Sequence, residues 1–264
     1  MLSYQHGFHA GNRADVLKHA VLDLVLREIA RGPRPVLYVE THSGRGRYDL
    51  TGEQARKGGE ADSGVLALLE AEAPAGLGDW LSLVRARTAR AYPGSPAHAR
   101  ARHPASARLI LFERHPAEFR ALTENLGSDP RLQIREEDGY SGALRLAPRG
   151  GEQILVFSDP SYETRRDIEA LALWTPRALK RWPTGILLLW LPLYRDGREA
   201  EFGEHLAALG ANLIAGARWP VKPDETSSLE GSAIAGFRVP EAAARSAEAV
   251  AARLEAFWAG ARSR

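Results

Sequence analysis

A series of short β-type runs, most of them apolar at successive positions, constrains this chain more than any other feature. They are residues 36–40 (VLYVE), 109–113 (LILFE), 132–135 (LQIR), 154–158 (ILVFS) and 186–191 (ILLLWL). Apolar side chains on consecutive rather than alternate positions fit strands covered on both faces. Two further candidates lie at 212–218 and 233–239. Between the runs fall stretches with helical spacing, at 14–31, 116–125, 140–146, 165–181 and 198–209, and a last one at 241–261. Strand–helix alternation of this kind predicts an α/β fold, a doubly wound parallel sheet in one domain spanning residues 1–264.

One interval is out of proportion. The first strand ends near residue 40 and the second begins near 109, whereas a βαβ unit usually takes about 30 residues. The surplus, 51–104, has helical patterns of its own at 64–71 and 80–91. It reads as a small inserted helical subdomain, because a structureless loop of that length is uncommon inside a compact domain.

Composition narrows the class. At 264 residues and 44% hydrophobic the chain can bury a sizeable core. Its longest wholly apolar run, 186–193, is far short of the roughly 20 residues of a spanning helix. The first 20 residues lack an apolar segment behind a basic start, so a cytoplasmic protein without membrane partners is expected. The absence of cysteine excludes disulfides, thiolate catalysis and cysteine-held metals. Thirty-five basic residues nearly balance 33 acidic ones. Their distribution is uneven: between residues 85 and 108 there are six arginines, Arg100, Arg102 and Arg108 among them, two histidines and no acid. A stripe like this suits a polyanion such as nucleic acid, and it equally suits a solvated arginine-rich face.

Four strand ends carry residues with chemical potential. After the first run comes Gly44-x-Gly46, where the backbone can turn sharply and approach a ligand. Asp49 stands where the dinucleotide fingerprint needs its third glycine, which argues against a nicotinamide dehydrogenase. The looser acidic-x-x-x-Gly-x-Gly turn resembles S-adenosylmethionine (SAM) sites. Glu113 closes the second run, where an acid commonly grips ribose hydroxyls. Asp138, after the third, could accept from an adenine amino group or cap the helix that follows.

The fourth segment, ILVFSDPSYE at 154–163, is the most specific. An apolar strand delivering Asp-Pro-x-Tyr into a loop resembles the motif of amino methyltransferases that act on adenine N6 or similar nitrogens. The lone pair of such an amine is delocalised into the ring. Asp159 and the carbonyl of Pro160 can accept its two hydrogens and favour the pyramidal geometry that attacks a methyl group. Proline keeps the loop stiff, and Tyr162 offers a face on which an extruded base can stack. At the amino terminus Tyr4, His6, His9, Arg13, Lys18 and His19 crowd into 19 residues with no recognised metal-ligand geometry, so no metal is expected.

Together these segments resemble the RlmJ family of bacterial 23S rRNA adenine-N6 methyltransferases over nearly the whole chain. The match rests on MLSYQHGFHAGNRADVLKH at the start, YVETHSGRGRYDL after the first strand, YPGSP at 92–96, LFERHP at 112–116, EDGY at 137–140 and DPSYE at 159–163. The resemblance implies a Rossmann-like fold with a helical insertion, SAM as methyl donor, a specific adenine of 23S rRNA as target and a monomeric enzyme. It implies that His19, His42, Ser95, Glu113, Asp138 and Gly139 contact SAM, with Lys18 helping to hold its carboxylate. Asp159 becomes the acceptor for the adenine amine, Tyr4 touches or gates the RNA with His6 nearby, and Arg100, Arg102 and Arg108 become an RNA surface. Ser161 departs from the usual Asp-Pro-Pro-Tyr and restores a flexible φ and an N–H at that position. Two other readings stay open on the residues alone: an amino methyltransferase with a non-RNA substrate, and a non-catalytic RNA-binding module.

Overall fold

The structure, a computed structural model, describes residues 5–162, 164–221 and 229–260. Seven strands form one mixed sheet: β1 (Val36–Glu40), β2 (Arg108–Phe112), β3 (Leu132–Arg135), β4 (Gln153–Ser158), β5 (Ile186–Tyr194), β6 (Leu213–Arg218) and β7 (Leu229–Phe237). Their spatial order is β3-β2-β1-β4-β5-β7-β6. The first five are parallel, while β7 runs antiparallel to both β5 and β6. The sheet is therefore not purely parallel as expected. Consecutive strands β6 and β7 pair antiparallel, an arrangement that does not require a crossover connection.

The parallel strands β1, β2, β4 and β5 are buried on both faces, and alternate residues feed two separate cores, while the edge strand β3 is only partly covered. Tyr38, Leu109, Leu111, Leu155, Phe157 and Leu188 face one layer. That layer is built by α1 (Arg13–Ala30), α2 (Ser95–Arg102), α3 (Pro116–Leu126) and α7 (Glu241–Gly260), with Leu17, Ala99, Leu122 and Leu254 reaching the same core. Leu37, Val39, Ile110, Phe112, Val156 and Leu187 face the other layer, formed by α4 (Gly139–Leu144), α5 (Arg165–Arg181) and α6 (Ala200–Ala208). This two-sided burial is why the strands read as continuous apolar runs.

The interval between β1 and β2 holds short helices at Glu53–Gly58, Ala67–Glu70 and Gly78–Arg85 as well as α2. A two-stranded ribbon, Arg47–Tyr48 against Tyr92–Pro93, clips its two ends together. In β5 the strand continues beyond its expected end at 191 through Pro192 to Tyr194. Pairing with β4 stops at Leu189, so the missing N–H of Pro192 leaves no gap in that ladder. The overhang walls the space into which β4 releases its loop.

Candidate active site

The carboxyl ends of β1, β2 and β4 open on a cleft of about 850 Å³. Two backbone hydrogen bonds and one between side chains set its floor. The Thr41 N–H donates to Phe157 O at 3.1 Å, the Ser43 N–H to Phe112 O at 3.0 Å, and Thr41 Oγ1 to Ser158 Oγ at 3.0 Å. The turn after β1 is thereby pinned to both neighbouring strands. Gly44 has φ +57°, and a Cβ there would strike the Tyr48 hydroxyl. The Gly44 N–H donates to Glu113 Oε2 at 2.8 Å and the His115 N–H to Oε1 at 2.7 Å. Glu113 is thus aimed at the cleft by two backbone donors. Burial pushes its carboxyl above the ordinary range although these bonds oppose the shift.

Across the floor, Asp138 caps α4 by accepting the Ser141 N–H at 2.8 Å. The next residue must be glycine. A Cβ on Gly139 would overlap the Thr41 carbonyl oxygen, so this close approach is open only to a residue without a side chain. Asp138 and Gly139 both line the cleft, as do His19, His42 and Ser95. Burial holds both imidazoles below their usual range, His19 much the more strongly. Both are therefore neutral donors or acceptors at physiological pH. Ser95 opens α2 and donates to Glu40 Oε2 at 3.3 Å. Glu40 also accepts from the Tyr38 hydroxyl, and burial lifts its carboxyl to about 8.

Asp159 and Pro160 leave β4 and enter the same cleft. Asp159 Oδ2 lies 2.6 Å from Lys18 Nζ, which is 2.9 Å from Asp15 Oδ1. Lys18 is accordingly bonded to the Asp-Pro-Ser-Tyr loop. Asp15, fully buried in the first turn of α1, accepts from the Gly11 N–H and pairs with His6 Nε2, each at 2.9 Å. Burial pushes its carboxyl up, but the adjoining His6 and Lys18 hold it well below the carboxylate range. The amino-terminal cluster is organised by Asp15 and by Glu60, whose Oε1 is 2.7 Å from His9 Nδ1. Glu60 lies in the long interval between β1 and β2, so sequence distance concealed it; Asp15 was legible as one acid among basic residues on a helix start.

Two expectations need correction. Tyr162 does not present a ring to the cleft. It is 8% exposed, has φ +51°, and its hydroxyl donates to Trp190 O at 2.5 Å. The aromatic rings lining the cleft belong to Tyr48, Tyr140, Trp190, Tyr194 and Trp219. The arginine stripe is not an acid-free face in three dimensions either. Arg100 pairs with Asp129 at 2.9 Å, Arg102 with Asp23 at 2.5 Å and Arg108 with Glu152 at 2.8 Å. Carboxylates distant in sequence fold onto them, and none of the three lines the cleft. Arg108 sits at the amino end of β2, the opposite edge of the sheet. The arginines that do line the cleft are Arg13, Arg114 and Arg166. Tyr4 lies outside the described residues. Among those described, no three His, Asp or Glu side chains are grouped to hold a metal ion, and no helix is long and apolar enough to cross a membrane.

A sheet of this order, with a glycine turn after β1, an acid after β2 and Asp-Pro-Ser-Tyr after β4 around one cleft, defines a SAM-dependent methyltransferase. The particular kind follows from comparison with known proteins. Residues 33–258 match the model of the family described as ribosomal RNA large subunit methyltransferase D, RlmJ, and the chain belongs to that family. It is 34% identical over 244 residues to ribosomal RNA large subunit methyltransferase J of Escherichia coli K12, covering 90% of this chain and 86% of that protein. The protein of the same name from Haemophilus influenzae is 31% identical over 245 residues, with the same coverage. The crystal structure of protein LPL1258 from Legionella pneumophila superposes with a TM-score of 0.83 at 26% identity, over 95% of this chain and 94% of that one.

Proposed function

We propose that this enzyme transfers a methyl group from SAM to N6 of a specific adenine in 23S rRNA. The observation that carries the proposal is that Asp159 and Pro160 share one cleft with Glu113, Asp138 and Gly139, so a loop suited to an amine faces a site suited to a nucleoside. The residues fit SAM. Glu113, Asp138 and the close-packed Gly139 would hold its adenosine part; His19, His42 and Ser95 line the remaining wall. When bound, SAM supplies an electrophilic methyl on a positively charged sulfur.

The protein's own task is alignment. Asp159 and the Pro160 carbonyl accept the two N6 hydrogens and concentrate the lone pair on nitrogen. The proton released after transfer leaves toward Asp159 or water. Trp190, Tyr194 and Tyr140 offer the ring faces against which an unpaired or flipped base can stack. Arg13, Arg114 and Arg166 on the cleft wall suit the phosphates beside it. Pro160 preserves the stiff φ and Ser161 affects only the following residue, so activity survives the departure from the double-proline motif. The substrate is 23S rRNA free of ribosomal proteins or in an early precursor, and the enzyme acts as a cytoplasmic monomer.

Single-turnover transfer to 23S rRNA by Asp159→Asn tests the role assigned to the loop. SAM affinity should stay normal while the rate falls at least a hundredfold, the scale of losing a charge-stabilising acceptor. A full rate with normal SAM affinity would remove Asp159 from the chemistry.

A further inference from the structure

A second concavity lies behind the Arg47–Tyr48/Tyr92–Pro93 ribbon. Successive residues of a strand point to opposite faces, and here the two faces serve different spaces. Tyr48 and Gly94 line the methyltransferase cleft, whereas Arg47 and Pro93 line a separate pocket of about 290 Å³. Its charged walls are four arginines, Arg47, Arg87, Arg100 and Arg131, and one acid, Asp129.

The acid is already committed. Asp129 accepts from Arg100 Nε at 2.9 Å, from Arg131 Nη2 at 2.7 Å and from Arg131 Nε at 3.0 Å. Arg131 is fixed further by donating to the carbonyls of His103 and Arg100. Arg47 and Arg87, by contrast, have neither an ion pair nor a side-chain hydrogen bond among the described residues. Four guanidinium groups against one carboxylate leave an excess of three positive charges around a concave space. Planar guanidinium forks match phosphate oxygens in pairs, and a pocket of this size admits a phosphate group with water around it.

We propose that this pocket is a phosphate-binding site that grips the RNA backbone near the target nucleotide. Arg47 and Arg87 supply the contacts, while Arg100 and Arg131 neutralise Asp129 and keep it from repelling the ligand. The ribbon contributes to both spaces, Arg47 and Pro93 to the pocket and Tyr48 to the cleft. An RNA strand that delivers a base to Asp159 needs only to cross the ribbon's rim to lay a neighbouring phosphate here. The site rests on the reading of the substrate as RNA but not on which atom is methylated.

The test measures binding of in vitro transcribed 23S rRNA over a range of salt concentrations, for wild type and for Arg47→Gln/Arg87→Gln. Neither residue touches the cleft, so SAM affinity and thermal stability should be unchanged. The variant should bind RNA about fivefold or more weakly. Its plot of log K against log salt should be shallower by one to two phosphate contacts, each about 0.7–0.9 in slope. Arg87→Gln alone, at an exposed position, should give the smaller effect in the same direction. Equal affinity and equal slope would overturn the proposal. Stabilisation of wild type but not the variant by inorganic phosphate, with RNA binding unaltered, would assign the pocket to a free anion and overturn its role in RNA binding. Because binding is measured without turnover, neither result depends on the position or chemistry of methylation.

Discussion

Lys18 Nζ stands between two carboxylates, 2.6 Å from Asp159 Oδ2 and 2.9 Å from Asp15 Oδ1, and its side chain is only 4% exposed. The ammonium links the start of α1 to the loop after β4 and lies 5.2 Å from the centroid of the Trp190 ring. Replacing it leaves two carboxylates close together with Asp15 fully buried. Removing one partner of a buried ion pair costs on the order of 3–5 kcal/mol. Lys18→Met should therefore lower the urea-unfolding free energy by about 3 kcal/mol. Methyl transfer should also fall at least tenfold at saturating SAM, because Asp159 loses the group that orients it. Full stability with full activity would show that the bridge matters to neither.

Gly139 makes a sharper steric prediction. Its closeness to the Thr41 carbonyl leaves no space for one extra methyl. Backbone rather than a flexible side chain is in the way, so Gly139→Ala must push α4 away from the turn after β1. Overpacking of this kind costs about 1–3 kcal/mol. Calorimetric titration should find SAM affinity reduced at least tenfold, with a matching fall in thermal stability. Unchanged SAM affinity would exclude this junction from the binding site.

Three buried groups set a pH profile. Glu40 rises from about 4.5 to about 8 in the folded state. The native protein then holds a proton that the unfolded chain releases, so this group's contribution declines as pH rises from about 4.5 to 8. Among the described residues no side chain hydrogen-bonds the rings of His98 and His103, and burial lowers them to about 3 and about 4. The unfolded chain binds protons that the native one refuses, so their contribution is complete above about pH 6.5 and is lost as pH falls toward 4. Acting together, these groups give greatest stability near pH 6.5. Chemical denaturation from pH 5 to 8 checks this: Glu40→Gln should remove the decline on the alkaline side, and His103→Phe should reduce the loss on the acid side. A Glu40→Gln curve parallel to wild type would mean that Glu40 ionises normally.

Arg102 separates structural from RNA-binding arginines. It forks onto Asp23 at 2.5 and 3.1 Å and donates to Asp79 O at 2.8 Å, and Asp23 is 1% exposed. Arg102→Ala should destabilise the fold by about 2–3 kcal/mol, less than a fully buried pair because the arginine itself is partly solvated. The salt dependence of RNA binding should not move. A shallower slope would return Arg102 to the RNA surface.

The central strands could be read from sequence because burial on both faces leaves an apolar run that needs no partner to be recognised; β1 and β3 keep their expected limits. The end of β5 was less legible, since Pro192 ordinarily stops a strand and only the early departure of β4 permits it here. Helix α2 was hidden in the arginine stripe. Its buried side includes Ser95, His98 and Ala99, which carry little apolar periodicity. Glu113 and Asp159 were legible because each directly follows a strand, and Asp138 because it lies just beyond one and can cap the next helix; Gly139 was named only through the family resemblance. The burial of Tyr162 was not, because the Trp190 carbonyl that holds it belongs to a neighbouring strand. Nor could the pairing of Arg100, Arg102 and Arg108 be seen, since every acid involved comes from another part of the chain.

The identity of the methylated nucleoside tests the central claim most directly. Unmodified 23S rRNA would be incubated with SAM carrying a labelled methyl group, then digested to nucleosides and separated by chromatography and mass. The account predicts label in N6-methyladenosine alone, about one per RNA, and none with Asp159→Ala. Label on another base or another atom of adenine, or label that persists in the variant, would contradict it.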